Sequence, residues 1–258
     1  MSGNKAAVKG IAGKIKLNTD TDFLKLVAIV SMLIDHLGAR VFPQYIEMRY
    51  IGRLAFPLFA YCMAMGCIFT KNIGKYALRV GILAILVQPL YATAMGHQQM
   101  MSFNWAENFY RLDLLFKHYY LAKPSILFTL LTGILLIWTI RDKKYLLTGL
   151  MLAVIWYIEG HLDYGLNGIL LMLMFYTLRD KPLTSFVWVF LFMAWWGIPS
   201  IQQTFPTRFP SYISAQFYAV LALPLIYIPF KTGIKINKYF FYAFYPAHLA
   251  LIYLLTMR

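Results

Sequence analysis

Residues 23–42 read FLKLVAIVSMLIDHLGARVF, an apolar run long enough to cross hydrocarbon as one helix, and it carries Asp35 and His36 in its interior. An ionisable pair in lipid costs at least a few kcal/mol per charge, so it persists where a site needs it. Counted from Leu24 at ~1.5 Å per residue, the pair lies about 17 Å deep, near the bilayer midplane. Adjacent helical residues diverge by about 100°, so Asp35 and His36 cannot pair closely with each other, and their partners must come from other spans.

Outward from this run, comparable segments recur at 50–69, 75–95, 124–140, 145–160, 164–178, 183–200, 215–230 and 238–256. With 60% hydrophobic and 13% charged residues, the chain reads as an all-α polytopic membrane protein, a bundle of about nine transmembrane helices. The short alternating segments of a membrane β-barrel are absent from the sequence. Residues 1–22 form a basic tail without the apolar core of a cleaved signal, and residues 23–258 form a single transmembrane domain. Most of the 24 lysines and arginines, among them Lys14, Lys71, Arg141, Lys144, Arg179 and Lys235, fall on the side of the N-terminus. The positive-inside rule then places the N-terminus in the cytoplasm and the C-terminus outside. Orientation accounts for the net charge of +14, so no nucleic-acid partner is expected; the expected partner is the lipid bilayer.

The one long connection, residues 96–123, lies on the outer side. Its Trp105, Phe109, Leu112, Phe116 and Tyr119 recur at helical spacing, which predicts an amphipathic helix in the membrane interface. Cys62 and Cys67 are five apart on one span and face different directions, so they read as packing residues, with no disulfide and no metal site expected.

Three groups offer partners for Asp35 and His36. Arg53 opens the second span, and Pro57 four residues on cannot donate to the Arg53 carbonyl, so a kink is predicted at the cation. His248 lies about 15 Å into the last span beside Pro246, which frees the Tyr242 carbonyl. Glu159, His161 and Asp163 gather at an outer junction, where they also read plainly as solvated loop residues. The competing structural reading of Asp35, His36 and Arg53 is a buried charge cluster that only fixes helix packing. Phosphate-loop, dinucleotide, zinc-protease and nucleophile-elbow motifs are absent.

The blocks Leu24-Lys25-Leu26-Val27-Ala28 through Met32-Leu33-Ile34-Asp35-His36-Leu37-Gly38 and Arg49-Tyr50-Ile51-Gly52-Arg53-Leu54-Ala55-Phe56-Pro57 resemble the first two blocks of the TraX family. Leu127-Phe128-Thr129-Leu130, Asp163-Tyr164-Gly165 and Phe244-Tyr245-Pro246-Ala247-His248 follow in the same order. TraX is known as the membrane acetylase of a conjugative pilin subunit, and the family is similar to multi-spanning acyltransferases that use acyl-CoA. The resemblance therefore implies an acetyl-CoA-dependent acetyltransferase of the bacterial cytoplasmic (inner) membrane, acting on an envelope acceptor such as pilin or a glycan. The chain departs from the family at Gln88, where members often carry an acidic residue, and at Ser125-Ile126, where Asn tends to stand.

Acetyl transfer needs a base for the attacking amine or hydroxyl and a donor group for the oxyanion. The expected catalytic residues are His36 as base or acetyl-accepting nucleophile, Asp35 or another carboxylate holding its tautomer, Arg53 as electrostatic stabiliser, and His248 as a second proton handler. Glu159, Asp163, Tyr164 and Tyr245 are expected to bind the acceptor. Lys71, Lys75 and Arg79 are expected to hold the acetyl-CoA nucleotide at the cytoplasmic face. The alternative from another class is a proton-coupled transporter or channel using Asp, His and Arg as a relay. A non-catalytic assembly scaffold is a third.

Overall fold

The computed structural model describes residues 16–96, 111, 113, 119–120, 123–198 and 214–257. The expected amphipathic helix, with Trp105, Phe109, Leu112 and Phe116, lies outside the described residues. Among those described, all regular structure is helical: α1 (Thr21–Arg40), α2 (Ile46–Gly52), α3 (Ala55–Phe69), α4 (Ile73–Ala94), α5 (Ile126–Arg141), α6 (Tyr145–Ile158), α7 (Gly165–Thr177), α8 (Pro182–Trp196), α9 (Leu223–Tyr227) and α10 (Lys238–Thr256), with short 3₁₀ segments at Glu159–His161 and Ala215–Ala222.

Among the described residues, three stretches are long and apolar enough to cross a membrane: Ile46–Phe69, Ile73–Ala94 and Tyr239–Thr256. The others are shorter or, like α1, interrupted by charge. Lipid contact shows most clearly in α6, which buries only Ile155 and leaves Leu146 83% and Tyr157 85% exposed. A helix apolar all round and mostly uncovered by protein belongs in a bilayer. The chain is a helical membrane protein.

Two expected spans differ from the reading of the sequence. The second begins earlier, at Ile46, and breaks at Arg53-Leu54, where the backbone N–H groups bond back three residues to Tyr50 and Ile51. Pro57 then occupies the first turn of α3, where a missing N–H costs nothing. The eighth, expected over 215–230, is not a continuous α-helix; it is 3₁₀ over Ala215–Ala222 and α-helical only over Leu223–Tyr227, with Pro224 in the first turn of α9.

Chain direction alternates along the bundle, which gives it two distinct ends. At one, Arg40 Nε donates to the Ala94 carbonyl (3.1 Å), joining the C-terminal ends of α1 and α4. At the other, Arg141 Nη1 donates to the Cys67 and Thr70 carbonyls at the C-terminal end of α3. There too, Asn18 Nδ2 donates to Leu225 O, and Asp20 accepts from both the backbone N–H and the hydroxyl of Thr232 (2.7 Å each). Those bonds hold the Asp20 carboxyl below its ordinary value. Their contribution is present above the ordinary carboxylate pKa and is lost as pH falls through the lowered one.

α3 sits at the centre, packed by α1, α5 and α7, with Phe56, Leu58, Ala60, Tyr61 and Ala64 all buried. Cys62 and Cys67 are free and buried in it. On α1 the stripe Leu24, Ala28, Met32 and His36, four residues apart, faces the core. The neighbouring stripe, Ser31, Asp35 and Gly38, turns toward α2, which approaches closely. A Cβ on Gly38 would lie 2.6 Å from that of Met48, and one on Gly52 would collide with the Asp35 side chain.

Gly52→Ala therefore forces α1 and α2 apart at the charge cluster. We expect a loss of about 1–3 kcal/mol, the usual cost of overpacking, seen as a lower unfolding midpoint in detergent. Gly149→Ala, whose Cβ meets nothing within 4 Å, serves as the matched control. Equal midpoints for the two variants would show that the α1–α2 contact tolerates the added methyl.

Candidate functional site

The break after α2 places Arg49 and Arg53, one helical turn apart, over the same carboxylate. Arg49 Nη1 donates to Asp35 Oδ2 (2.6 Å) and to the Asp35 carbonyl (3.0 Å), and Arg53 Nη2 donates to Oδ1 (2.8 Å). Arg53 Nε also bonds the Arg49 carbonyl (3.3 Å). Asp35 and Arg53 side chains are 15% and 16% exposed, Arg49 31%. One carboxylate thus shares two guanidinium groups, and the Arg53 Nη1 group has no hydrogen-bond partner among the described residues. An excess of one positive charge with unspent N–H donors suits a developing oxyanion or an anionic group.

His36 turns away from Asp35 and meets His248 of α10. Its Nδ1 lies 3.1 Å from His248 Nε2, with the rings 5.2 Å apart and nearly parallel. His248 Nδ1 lies 3.0 Å from the Phe244 carbonyl, which can only accept. His248 therefore carries its proton on Nδ1, its Nε2 is bare and accepts from His36 Nδ1–H, and neutral His36 keeps the lone pair on Nε2. The expectation that a carboxylate would set the His36 tautomer is corrected: the imidazole of His248 does so, because α1 turns Asp35 toward α2 and His36 toward α10.

Both halves border one cavity of about 860 Å³, at the end of the bundle where α1, α4 and α8 finish and α5 and α7 begin. Asp35, His36, Arg49 and Arg53 line one side; Lys123, Asp163, Tyr164, Asn167, Trp195 and Trp196 line the other. Tyr164 stacks on Phe56 (3.9 Å between centroids, 5° between planes) and meets Trp196 edge-on. Asp163 is exposed within the cavity, where the surrounding protein partly desolvates its carboxyl and raises it above the ordinary range, against the pull of Lys123 and Arg53.

The other expected residues fall in different places. His248 and Tyr245 are buried behind the cavity wall. Glu159 and His161 lie in the 3₁₀ turn after α6 and do not border the cavity, whereas Asp163, read alongside them as a loop residue, does. Lys71, Lys75 and Arg79 stand at the opposite end, with Lys75 sixteen residues before Tyr91, about 24 Å along α4.

Arg49 falls just before the apolar segment expected at 50–69, so hydropathy alone leaves it outside the second span, whereas the structure places it inside α2. Its spacing to Arg53, four residues on one helical face, was the available signal. Lys123 likewise falls just before the segment expected at 124–140. Its carbonyl and that of Tyr119 accept from Gln88 Nε2 (3.0 and 2.7 Å), while Gln88 Oε1 accepts from Ser125 N–H (2.8 Å). The two positions at which the sequence departs from its resemblance, Gln88 and Ser125, are thus direct partners. Together they fix where the chain enters α5 beside the cavity.

A family model described as TraX protein matches residues 20–256. Over 245 residues, 89% of this chain and 92% of the other, the sequence is 26% identical to the probable fimbrial assembly protein FimC, serogroup H1, of Dichelobacter nodosus. It is also 36% identical over 77 residues, 30% of this chain and 29% of the other, to an uncharacterized protein of Rickettsia prowazekii (strain Madrid E). No solved structure matches the chain.

Proposed function

The chain belongs to the TraX family, and from that premise we propose that it is a multi-pass acetyltransferase of the bacterial inner membrane, moving an acetyl group from acetyl-CoA to an amine or hydroxyl on an envelope acceptor. The observation that carries the reading is the Phe244–His248–His36 hydrogen-bond chain, which leaves a bare imidazole nitrogen on a residue of the cavity wall. A base with an assigned tautomer stands there beside two arginines able to stabilise charge on a thioester oxygen. The fimbrial assembly name of the D. nodosus relative supports a fimbrial subunit as one acceptor.

In this reading Asp163, Tyr164 and the tryptophans of the cavity hold the acceptor, with Tyr245 supporting the wall from behind and Glu159 outside the cavity lining. Lys71, Lys75 and Arg79 take the nucleotide of the donor at the basic end. The length of α4 separates the two, so the pantetheine arm must pass between helices to bring the thioester to His36. The decisive assay incubates purified protein in lipid nanodiscs with acetyl-labelled CoA and an envelope extract. Label transferred to a protein or glycan is the expected result. Absence of both transfer and acetyl-CoA hydrolysis, with proton flux in proteoliposomes instead, would favour the relay of a transporter.

The orientation in this reading is also testable. Lysines and arginines crowd the end opposite the cavity, so residues 141–144 and 231–237 are expected to face the cytoplasm and the cavity to open outward. In intact cells, single cysteines at 141–144 should resist membrane-impermeant reagents and those at 104–118 should react. The reverse pattern would invert the protein.

A further inference from the structure

We propose that His248 is not only the group that orients His36 but also the place where the acceptor's proton is held during transfer. The inference rests on the acetyltransferase reading for its chemistry and on the imidazole pair for its geometry. When the acceptor nitrogen or oxygen bonds to the acetyl carbon, its proton goes to His36 Nε2. His36 Nδ1–H already points along a 3.1 Å hydrogen bond to the bare Nε2 of His248, so that proton moves across as the first one arrives.

The outcome is a neutral His36 protonated on Nε2 and an imidazolium at His248, whose Nδ1–H stays on the Phe244 carbonyl. When the carbon–sulfur bond breaks, the two hops reverse and the His36 Nε2 proton goes to the departing thiolate. Acceptor and acetyl-CoA become acetylated acceptor and CoA thiol, with no net proton gained or lost.

The surroundings say why the charge should move. His36 lies among the Arg49 and Arg53 guanidinium groups of the α2 segment and near Tyr91 of α4, with Asp35 already committed to both arginines. His248 is flanked by Phe244 and Tyr245 of its own helix and by His36, with the Phe244 ring stacked on it at 5.4 Å. A positive charge on His36 is repelled by two cations. On His248 it is one residue further from them and rests on a carbonyl and an aromatic face.

His248→Gln separates proton holding from orientation. A glutamine amide oxygen can accept from His36 Nδ1–H and keep its tautomer, but cannot take a proton near neutral pH. The inference expects His248→Gln to lose transfer by roughly ten- to a hundredfold with the KM for acetyl-CoA unchanged, and a proton inventory in mixed H₂O and D₂O to fall from two protons in flight to one. Turnover within a few-fold of wild type, or an unchanged inventory, would overturn it.

A second measurement does not depend on the reaction. Nitrogen-15 spectra of histidine-labelled protein, assigned with His36→Gln and His248→Gln, should show both rings protonated on Nδ1 at rest and His248 as the first of the two to become imidazolium on acidification. His36 protonated on Nε2 at rest, or charged first, rules out the relay whatever the protein transfers. Failure of transfer in wild type with the expected spectra would count against the acetyltransferase reading alone.

Discussion

Replacing His36 with alanine is expected to slow acetyl transfer by a factor on the order of 10² or more, the scale for removing a general base. Binding of acetyl-CoA should persist, because in the proposed arrangement its nucleotide is held at the opposite end of α4. Alanine also leaves His248 Nε2 buried without a donor, at about 1–3 kcal/mol, so the cleaner variant is His36→Gln. Its amide N–H can still donate to His248 while offering no nitrogen that takes a proton near neutral pH, and the same loss of rate is expected. If correctly inserted His36→Gln acetylates its acceptor within a few-fold of wild type, the base lies elsewhere. If neither variant inserts, the Asp35-His36 pair holds the bundle together and the catalytic reading loses its main support.

Arg53→Lys is expected to abolish most activity although the charge is kept. Arg53 uses Nη2 on Asp35 and Nε on the Arg49 carbonyl, while Nη1 has no partner among the described residues. An ammonium at the end of a flexible stem cannot hold both contacts and still present a third donor in a fixed direction. Because Arg49 still pairs with Asp35, the variant should insert and sediment like wild type. Arg53→Ala removes one of the two cations but leaves Asp35 paired with Arg49, so it is also expected to insert while losing activity. Turnover of Arg53→Lys near the wild-type level, measured with labelled acetyl-CoA in nanodiscs, would reduce Arg53 to a packing residue.

Much of this arrangement was open to local reasoning. A 100° step between neighbours on a helix requires Asp35 and His36 to find separate partners, and they do, in Arg49 and Arg53 and in His248. The geometry of proline requires a break ahead of Pro57, and the helix is interrupted at Arg53-Leu54. Hydropathy locates most of the helices, since each apolar run must satisfy its own backbone in lipid. The same rule gave the wrong element at 215–230. There, apolar composition predicts a span, but composition does not distinguish a 3₁₀ path packed on α8 and α2 from a continuous α-helix.

The alternation of apolar and charged segments determined, by itself, that this is a helical membrane protein, and it singled out Asp35, His36 and Arg53 as the charged residues within its apolar runs. Those properties follow from the cost of charge in hydrocarbon and from the fixed angular step of a helix, both readable within twenty residues. Tertiary structure alone decided that Arg49 joins Arg53 on one carboxylate, that His248 sets the tautomer of His36 across 212 positions of sequence, and that Asp163 belongs to the cavity while Glu159 does not. Each of these depends on which helix faces which, and that is settled by close contacts such as Gly52 against Asp35, between residues whose spacing along the chain carries no trace of their meeting.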